Sequence, residues 1–189
     1  MIPETDINGV HGAGSLQIVR LNAQQFEAYR APLLTLLLDA VAHGASVGFL
    51  ADLDAAEAGA YFDEVAARLA QDTLWLWVAM QDGNLLGSVQ LVPCTKRNGH
   101  NRAEVQKLLV LQSARRRGIA RQLMQALETE AQRRQLGLLY LDTEAGSPAE
   151  SVYRSLDYQR VGEIPDYAAR PDGVYHPTAL YFKTLRRPA

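Results

Sequence analysis

The sequence holds a single cysteine, Cys94, so neither an internal disulfide nor a thiolate metal cluster can form. It has no uninterrupted apolar run of the ~20 residues that a membrane-spanning helix needs. The first residues, with Glu4, Asp6 and His11-Gly12-Ala13-Gly14, lack the basic and apolar regions of a secretion signal. A cytoplasmic location is the expectation. A dominant charge sign is missing too: 19 Lys and Arg face 21 Asp and Glu, a net charge of -2. Nothing global therefore points to nucleic acid or a membrane surface. There are no internal repeats and no composition shift. A loose tail over residues 1–15 and one domain over 16–189 are expected, with 48% apolar residues to build the core.

Positive charge is present locally. Arg102, Lys107, Arg115, Arg116, Arg117 and Arg121 fall close together, opposed only by Glu104. Such a cluster on a near-neutral chain suits a small anionic ligand better than a long polyanion.

Hydrophobic period outlines the elements. Leu16 to Leu21 reads as a strand, and Asn22 can cap the helix after it. Phe26 to Val41 is helix-like, with Pro32 expected to start, kink or split a helix. Asp54 with Glu57 resembles a capping box ahead of a stripe of Phe62, Val65 and Leu69. Leu74–Met80 and Leu85–Val92 read as a hairpin turned at Asp82-Gly83. A polar loop over 93–101 precedes a strand over Ala103–Leu111. A helix from about Arg117 to Arg134 buries Ile119, Leu123, Leu127 and Ala131 and turns Arg121, Gln122, Gln125, Glu128 and Gln132 to water. Gly137 closes it. Leu138–Leu141 suits a buried parallel strand, and Ser147-Pro148 opens a helix to about Leu156. Tyr158–Gly162 and Thr178–Leu185 complete the sheet across a loop rich in Pro, Asp and Gly. The fold class is α/β: a mixed, mostly antiparallel central sheet flanked by helices on both faces.

The segment Arg115-Arg116-Arg117-Gly118-Ile119-Ala120 stands where a strand feeds a helix. A helix start offers unpaired N–H groups and the positive end of the macrodipole. Gly118 and the small Ala120 let phosphate oxygens approach the backbone, and the arginines add charge. The competing explanation is a solvated basic turn.

From this turn the sequence resembles the GCN5-related N-acetyltransferase superfamily. Arg115, Gly118 and Ala120 fill the specified positions of its Gln/Arg-x-x-Gly-x-Gly/Ala signature, and Leu109-Val110-Leu111 matches the strand before it. Downstream Ala149 and Tyr153 match, whereas Gly146 and Asp157 replace the usual Asn and Gly. Asp157 accepts the left-handed backbone that the Gly would supply, while Gly146 removes one possible polar contact to the cofactor. Three further segments, Ala103–Lys107, Leu141–Gly146 and His176–Leu185, are similar to tabtoxin resistance acetyltransferases. The resemblance implies acetyl-CoA as co-substrate and no metal. Its cofactor contacts would be Leu109, Val110, Leu111, Arg115, Arg116, Arg117, Gly118, Ile119, Ala120 and Arg121. The acceptor implied is the amine of a small amino-acid-like toxin, attacked in a ternary complex by a monomer or homodimer.

Acetyl transfer to an amine needs a base, an oxyanion donor and an acid for the departing thiolate. Glu104, on the strand before the turn, is one candidate base; a salt bridge to Arg102 or Lys107 is its structural alternative. Asp142 interrupts an apolar strand at its carboxyl end, where α/β sheets place ligands. A buried carboxylate there needs a partner, and a cap or loop hydrogen bond is the alternative. The resemblance implies that carboxylates at both positions act as bases. Tyr153 is the candidate acid, against a core tyrosine packed on the sheet. A backbone N–H near Val110 would serve the oxyanion. His176 reads as structural or substrate-lining, Trp75 and Trp77 as core. His43, His100 and Cys94 show no ligand or nucleophile pattern. Tyr167 and Asp166 either line the acceptor pocket or face solvent. A protein or peptide acetyltransferase and a non-catalytic acyl-CoA sensor remain as alternatives.

Overall fold

The computed structural model describes residues 14–185. In chain order the elements are β1 (Gln17–Leu21), α1 (Ala23–Ala42), α2 (Ala55–Ala70), β2 (Trp75–Gln81), β3 (Asn84–Pro93), β4 (Arg102–Val110), α3 (Ile119–Arg133), β5 (Leu138–Glu144), α4 (Ala149–Ser155), β6 (Gln159–Ala169) and β7 (Tyr175–Thr184). The strands form one seven-stranded sheet in the order β1-β2-β3-β4-β5-β7-β6. Every neighbouring pair is antiparallel except β4 and β5. The expected mixed, mostly antiparallel sheet is present.

Alternation along β2 explains the layering. Leu76 and Val78 turn to one face, against Leu33, Leu36 and Leu37 of α1 and Phe62 and Val65 of α2. Trp75, Trp77 and Ala79 turn to the other, against Ile119, Leu123 and Leu127 of α3. Both tryptophans are core, as expected. Local signals behave as expected: Asn22 and Gln25 form a reciprocal capping box. Of the capping box expected at α2, the Asp54 half is present, accepting from the Glu57 N–H at 2.8 Å. Asp82 and Gly83 take φ of 50° and 77°, as a tight hairpin turn requires.

Four expectations need correction. Pro32 neither starts nor splits a helix, because α1 runs through it for 20 residues. It lies on the exposed face, where the carbonyl that its missing N–H leaves is open to solvent. Gly137 does not close α3; Gln135 takes the left-handed position, at φ 61°. Gly137 is instead required by a close approach, since a Cβ there would stand 2.4 Å from Asn101 Oδ1. Glu128 is not turned to water, its side chain being 12% exposed beneath Lys183 Nζ at 2.7 Å. The late loop shrinks to residues 170–174, because β6 and β7 extend into it. Two register shifts in β6 make this possible, and the second takes up Pro165 on an edge strand. Residues 1–13 of the expected tail lie outside the described residues; Gly14 bonds to the β2–β3 hairpin. Its N–H donates to Asp82 at 2.8 Å and its carbonyl accepts from Gln81 at 2.7 Å.

Candidate active site

The sheet opens at its parallel pair. β4 and β5 are joined over Arg102–Glu104 and Leu138–Tyr140 alone. β5 continues along β7 to Glu144, while β4 runs beside β3 as far as Val110. The two strands part, and a gap runs through the sheet between them.

A bulge in β4 shapes that gap. Ser88 pairs with Leu109 and Gln90 with Gln106, so Lys107 and Leu108 together oppose Val89. Lys107 is left-handed, with φ 50°, a strain of roughly 1 kcal/mol for a side-chain-bearing residue. Before the bulge Ala103 and Val105 face α3; after it Leu108 and Val110 do, and Leu109 turns toward α1 and α2.

On the α3 side, β4 runs into a 3-10 turn over Gln112–Ala114 and then the arginine turn. The Gln112 N–H donates to Asp39 Oδ2 at 2.8 Å, anchoring it to α1. Arg116 and Gly118 are left-handed at φ 60° and 75°. Among the described residues no side chain caps α3, so its first-turn N–H groups face outward with the positive helix end behind them. Left-handed residues in such a run make an anion-binding concavity of backbone N–H groups. Arg115 to Gly118 are all exposed. Arg117 donates to Gln81, Arg115 to the Val110 carbonyl at 3.4 Å, and Arg121 to the Ser155 carbonyl at 3.4 Å. Arg116 has no such partner among the described residues. Ile119 contributes only backbone here, because its side chain is 2% exposed in the core. Gly87 seats the whole turn: a Cβ there would lie 2.7 Å from the Leu109 carbonyl and 3.3 Å from Ile119 and Leu123.

An uncapped basic helix start beside a parted parallel pair suits a phosphate-bearing ligand whose arm enters the gap. Residues 36–158 match the acetyltransferase (GNAT) family. The chain belongs to that family. It is an acyltransferase, and its sheet and helices recur in solved relatives. Over 89% of this chain and 99% of the other, it superposes with a TM-score of 0.73 and 22% identity on a ribosomal-protein-alanine N-acetyltransferase from Brucella melitensis. An N-acetyltransferase from Staphylococcus aureus matches at 0.75 and 19% identity, covering 92% of this chain and all 100% of its own. A Salmonella typhimurium protein described with its cofactor acetyl-CoA matches at 0.75 and 17% identity, over 93% and 97%.

In this GNAT acetyltransferase the other face of the gap carries the carboxylates. Glu104 and Asp142 both turn to the α1–α2 side, since Ala103, Val105, Leu139 and Leu141 of the same strands face α3. Glu104 makes no ion pair with Arg102 or Lys107, so the salt-bridge alternative fails. Asp142 is exposed rather than buried as the strand pattern suggested. The parted strands explain this, for β5 has lost its β4 neighbour there. The Thr178 hydroxyl lies 3.1 Å from Asp142 Oδ2 and 2.9 Å from the Thr143 carbonyl.

Tyr153 sits in the core on the opposite face, its ring 5.9 Å and 6.0 Å from those of Tyr158 and Tyr181. Burial, and then the charge of Asp142, raise its hydroxyl well above the usual tyrosine range.

Two features of the site carry no legible signal in the sequence. Buried Glu150 accepts from the Gly146 N–H at 2.7 Å and Arg154 at 2.6 Å, and from the Tyr181 hydroxyl. It locks the turn between β5 and α4, where Gly146 has φ 79°; a lone Glu two residues after Pro148 does not announce this. Asp157 is left-handed at φ 63°, as expected. The second feature is Lys107. Its ammonium lies 6.0 Å from the Phe49 ring and 5.8 Å from the Tyr61 ring. Burial pushes the Tyr61 hydroxyl up to about 12, and it hydrogen-bonds buried Gln90 at 3.0 Å. The sequence shows only a slip of alternation between Val105 and Leu108, which does not announce a left-handed lysine.

The remaining candidates lie in ordinary structure. His43 bonds the Asp39 carbonyl at 2.8 Å, His100 the Thr95 carbonyl at 3.3 Å, and His176 pairs with Ala168 in the sheet. Asp166 and Tyr167 belong to β6 rather than a loop. Among the described residues no three His, Cys, Asp or Glu side chains could hold a metal, and no helix is long and apolar enough to cross a membrane.

Proposed function

We propose that this acetyltransferase moves acetyl from acetyl-CoA to the amine of a small amino-acid-like acceptor, by direct attack in a ternary complex. The observation that carries the proposal is the gap between β4 and β5, with two carboxylates on one face and a buried phenol on the other. Acetyl-CoA supplies a thioester whose carbonyl carbon accepts the amine. The first-turn N–H groups of α3, with Arg116 and Gly118, hold its pyrophosphate. Leu109, Val110 and Leu111 lie along its arm, on the edge of β4 that β5 has left. Glu104 and Asp142 remove the amine's proton. Tyr153, held protonated by its surroundings, donates to sulfur as the C–S bond breaks. The bond made is N–C and the bond broken is C–S.

A small acceptor is favoured by how the far side is closed. The connection between α1 and α2 is bonded to the β6–β7 hairpin, with Ser46 Oγ donating to the Ala169 carbonyl at 3.2 Å and the Ala51 N–H to that of Pro171 at 2.9 Å. Arg170 of the hairpin pairs with Glu144 at 3.0 Å. A protein N-terminus is the second reading, favoured by the name of the Brucella relative.

The test incubates the protein with acetyl-CoA and a panel of free amino acids, the tabtoxin-derived β-lactam amino acid and alanine-terminated peptides, monitoring released thiol. Turnover of free amino acids, lost in Glu104→Gln or Asp142→Asn, supports the small-acceptor reading. Turnover of peptides alone replaces it with the second. Tight coenzyme binding with no turnover on any acceptor would make the chain an acyl-CoA sensor.

A further inference from the structure

The acceptor face holds a cation that the proposed reaction leaves unused. Lys107 is half-buried on the β4 bulge, and its side chain reaches from there toward α2 and the α1–α2 connection. Phe49 and Tyr61 wall it. Gly48, at φ 91°, passes close enough that a Cβ there would stand 3.6 Å from Nζ. The left-handed backbone costs free energy at any non-glycine residue, so holding a lysine there needs a return.

An ammonium in such a place ordinarily takes an anion, because desolvated charge is costly unless paired. Lys107 has none at contact among the described residues: no carboxylate is within ion-pairing distance and no acceptor within hydrogen-bond distance of Nζ. Asp142 and Glu104 nevertheless favour its charged form through space, against the desolvation that lowers its affinity for the proton. One cation and two carboxylates therefore face a common space without collapsing onto one another. That pattern is the complement of a zwitterion. The amine of the zwitterion belongs at the carboxylates and its own carboxylate at the lysine.

We propose that Lys107 is the specificity residue for the acceptor and binds the carboxylate of a zwitterionic amino acid whose amine faces Glu104 and Asp142. This rests on the small-acceptor reading above and sharpens it: the acceptor must carry an anion within a few bonds of its amine. The aromatic walls fit the same role. They lower the local dielectric, which strengthens an ammonium–carboxylate hydrogen bond relative to water.

The test compares wild type, Lys107→Met and Lys107→Arg on amino acids in two forms, the free acid and the C-terminal amide, with thiol release from acetyl-CoA as the readout. Wild type is expected to prefer the acid. Lys107→Met should reduce the acid-to-amide ratio of kcat/KM by about 10–100-fold, the range for a hydrogen bond to a charged group, and Lys107→Arg should restore part of it. A ratio near one in wild type overturns the proposal, as does an unchanged ratio in Lys107→Met. If wild type acetylates neither form, the reaction itself is misassigned. The anchor is then read by calorimetric titration of N-acetyl amino acids and their amides in the presence of CoA. A carboxylate preference abolished by Lys107→Met sustains it, and equal binding of acid and amide overturns it.

Discussion

Tyr153→Phe separates the two roles this residue can have, because the substitution removes the hydroxyl and leaves the ring. The ring is the structural part: it is 6% exposed and packs against Tyr158 and Tyr181. No group among the described residues hydrogen-bonds the hydroxyl. Its loss therefore breaks no internal bond and opens little volume, so stability should change by less than about 0.5 kcal/mol. For a domain of this size that is a shift of roughly 1–2 °C in Tm. The chemical part is larger. A departing thiolate with an ordinary pKa of ~8.5 must be protonated by a group that still holds its proton at working pH. An ordinary tyrosine at ~10 already does so throughout the neutral range, and burial with Asp142 raises Tyr153 further. A positioned general acid contributes ~10²–10⁴-fold. Steady-state kinetics at saturating acetyl-CoA should show kcat falling by about 100-fold or more, with the KM for acetyl-CoA nearly unchanged. A kcat within about threefold of wild type, with Tm preserved, would show that Tyr153 is only a core tyrosine.

Arg116→Asn, which tolerates the left-handed backbone, should weaken CoA binding about tenfold at low salt, with the loss shrinking as ionic strength rises. Arg117→Gln should cost less, since Arg117 is already engaged with Gln81; titration calorimetry at two salt concentrations checks both. Gly87→Ala would place a Cβ 2.7 Å from the Leu109 carbonyl, so β4 must shift. Overpacking of this kind costs about 1–3 kcal/mol, read as a lower Tm together with weaker CoA binding. Acid stability should reveal Glu130, whose carboxyl Arg133, Arg134 and Arg20 hold at about 2, below its ordinary 4.5. A depressed carboxyl stabilises the fold above the unfolded value and loses that contribution as pH falls from 4.5 toward 2. Because Arg133 is 66% exposed, the contribution is about 1 kcal/mol rather than the full linkage value. Denaturant melts of wild type and Glu130→Gln should differ by that amount at pH 7 and converge near pH 2.

Much of this protein was written locally. Asn22 and Asp54 cap the helices they precede, Asp82-Gly83 turns its hairpin, and the four-residue recurrence of Ile119, Leu123, Leu127 and Ala131 buries one side of α3. Such features depend on neighbours in sequence, and the chain alone sets them. The arginine turn is only partly of this kind: its left-handed residues are local, but Gly87, Asp39 and Gln81 hold it in place from a distance. Tertiary structure decided what depends on distant partners. Whether Asp142 is buried depends on where β4 leaves β5, and that is set by β5 pairing with β7 along its whole length. The fate of Pro32 depended on which face of α1 met the sheet, and that of Pro165 on β6 being an edge strand. Lys107 is the clearest case. Apolar alternation slips at Lys107, from Ala103 and Val105 to Leu108 and Val110, but a slip alone does not say where the side chain of the extra residue goes. Only pairing with β3 creates the bulge that lifts this lysine between Phe49 and Tyr61, beside the carboxylates that sequence had already singled out.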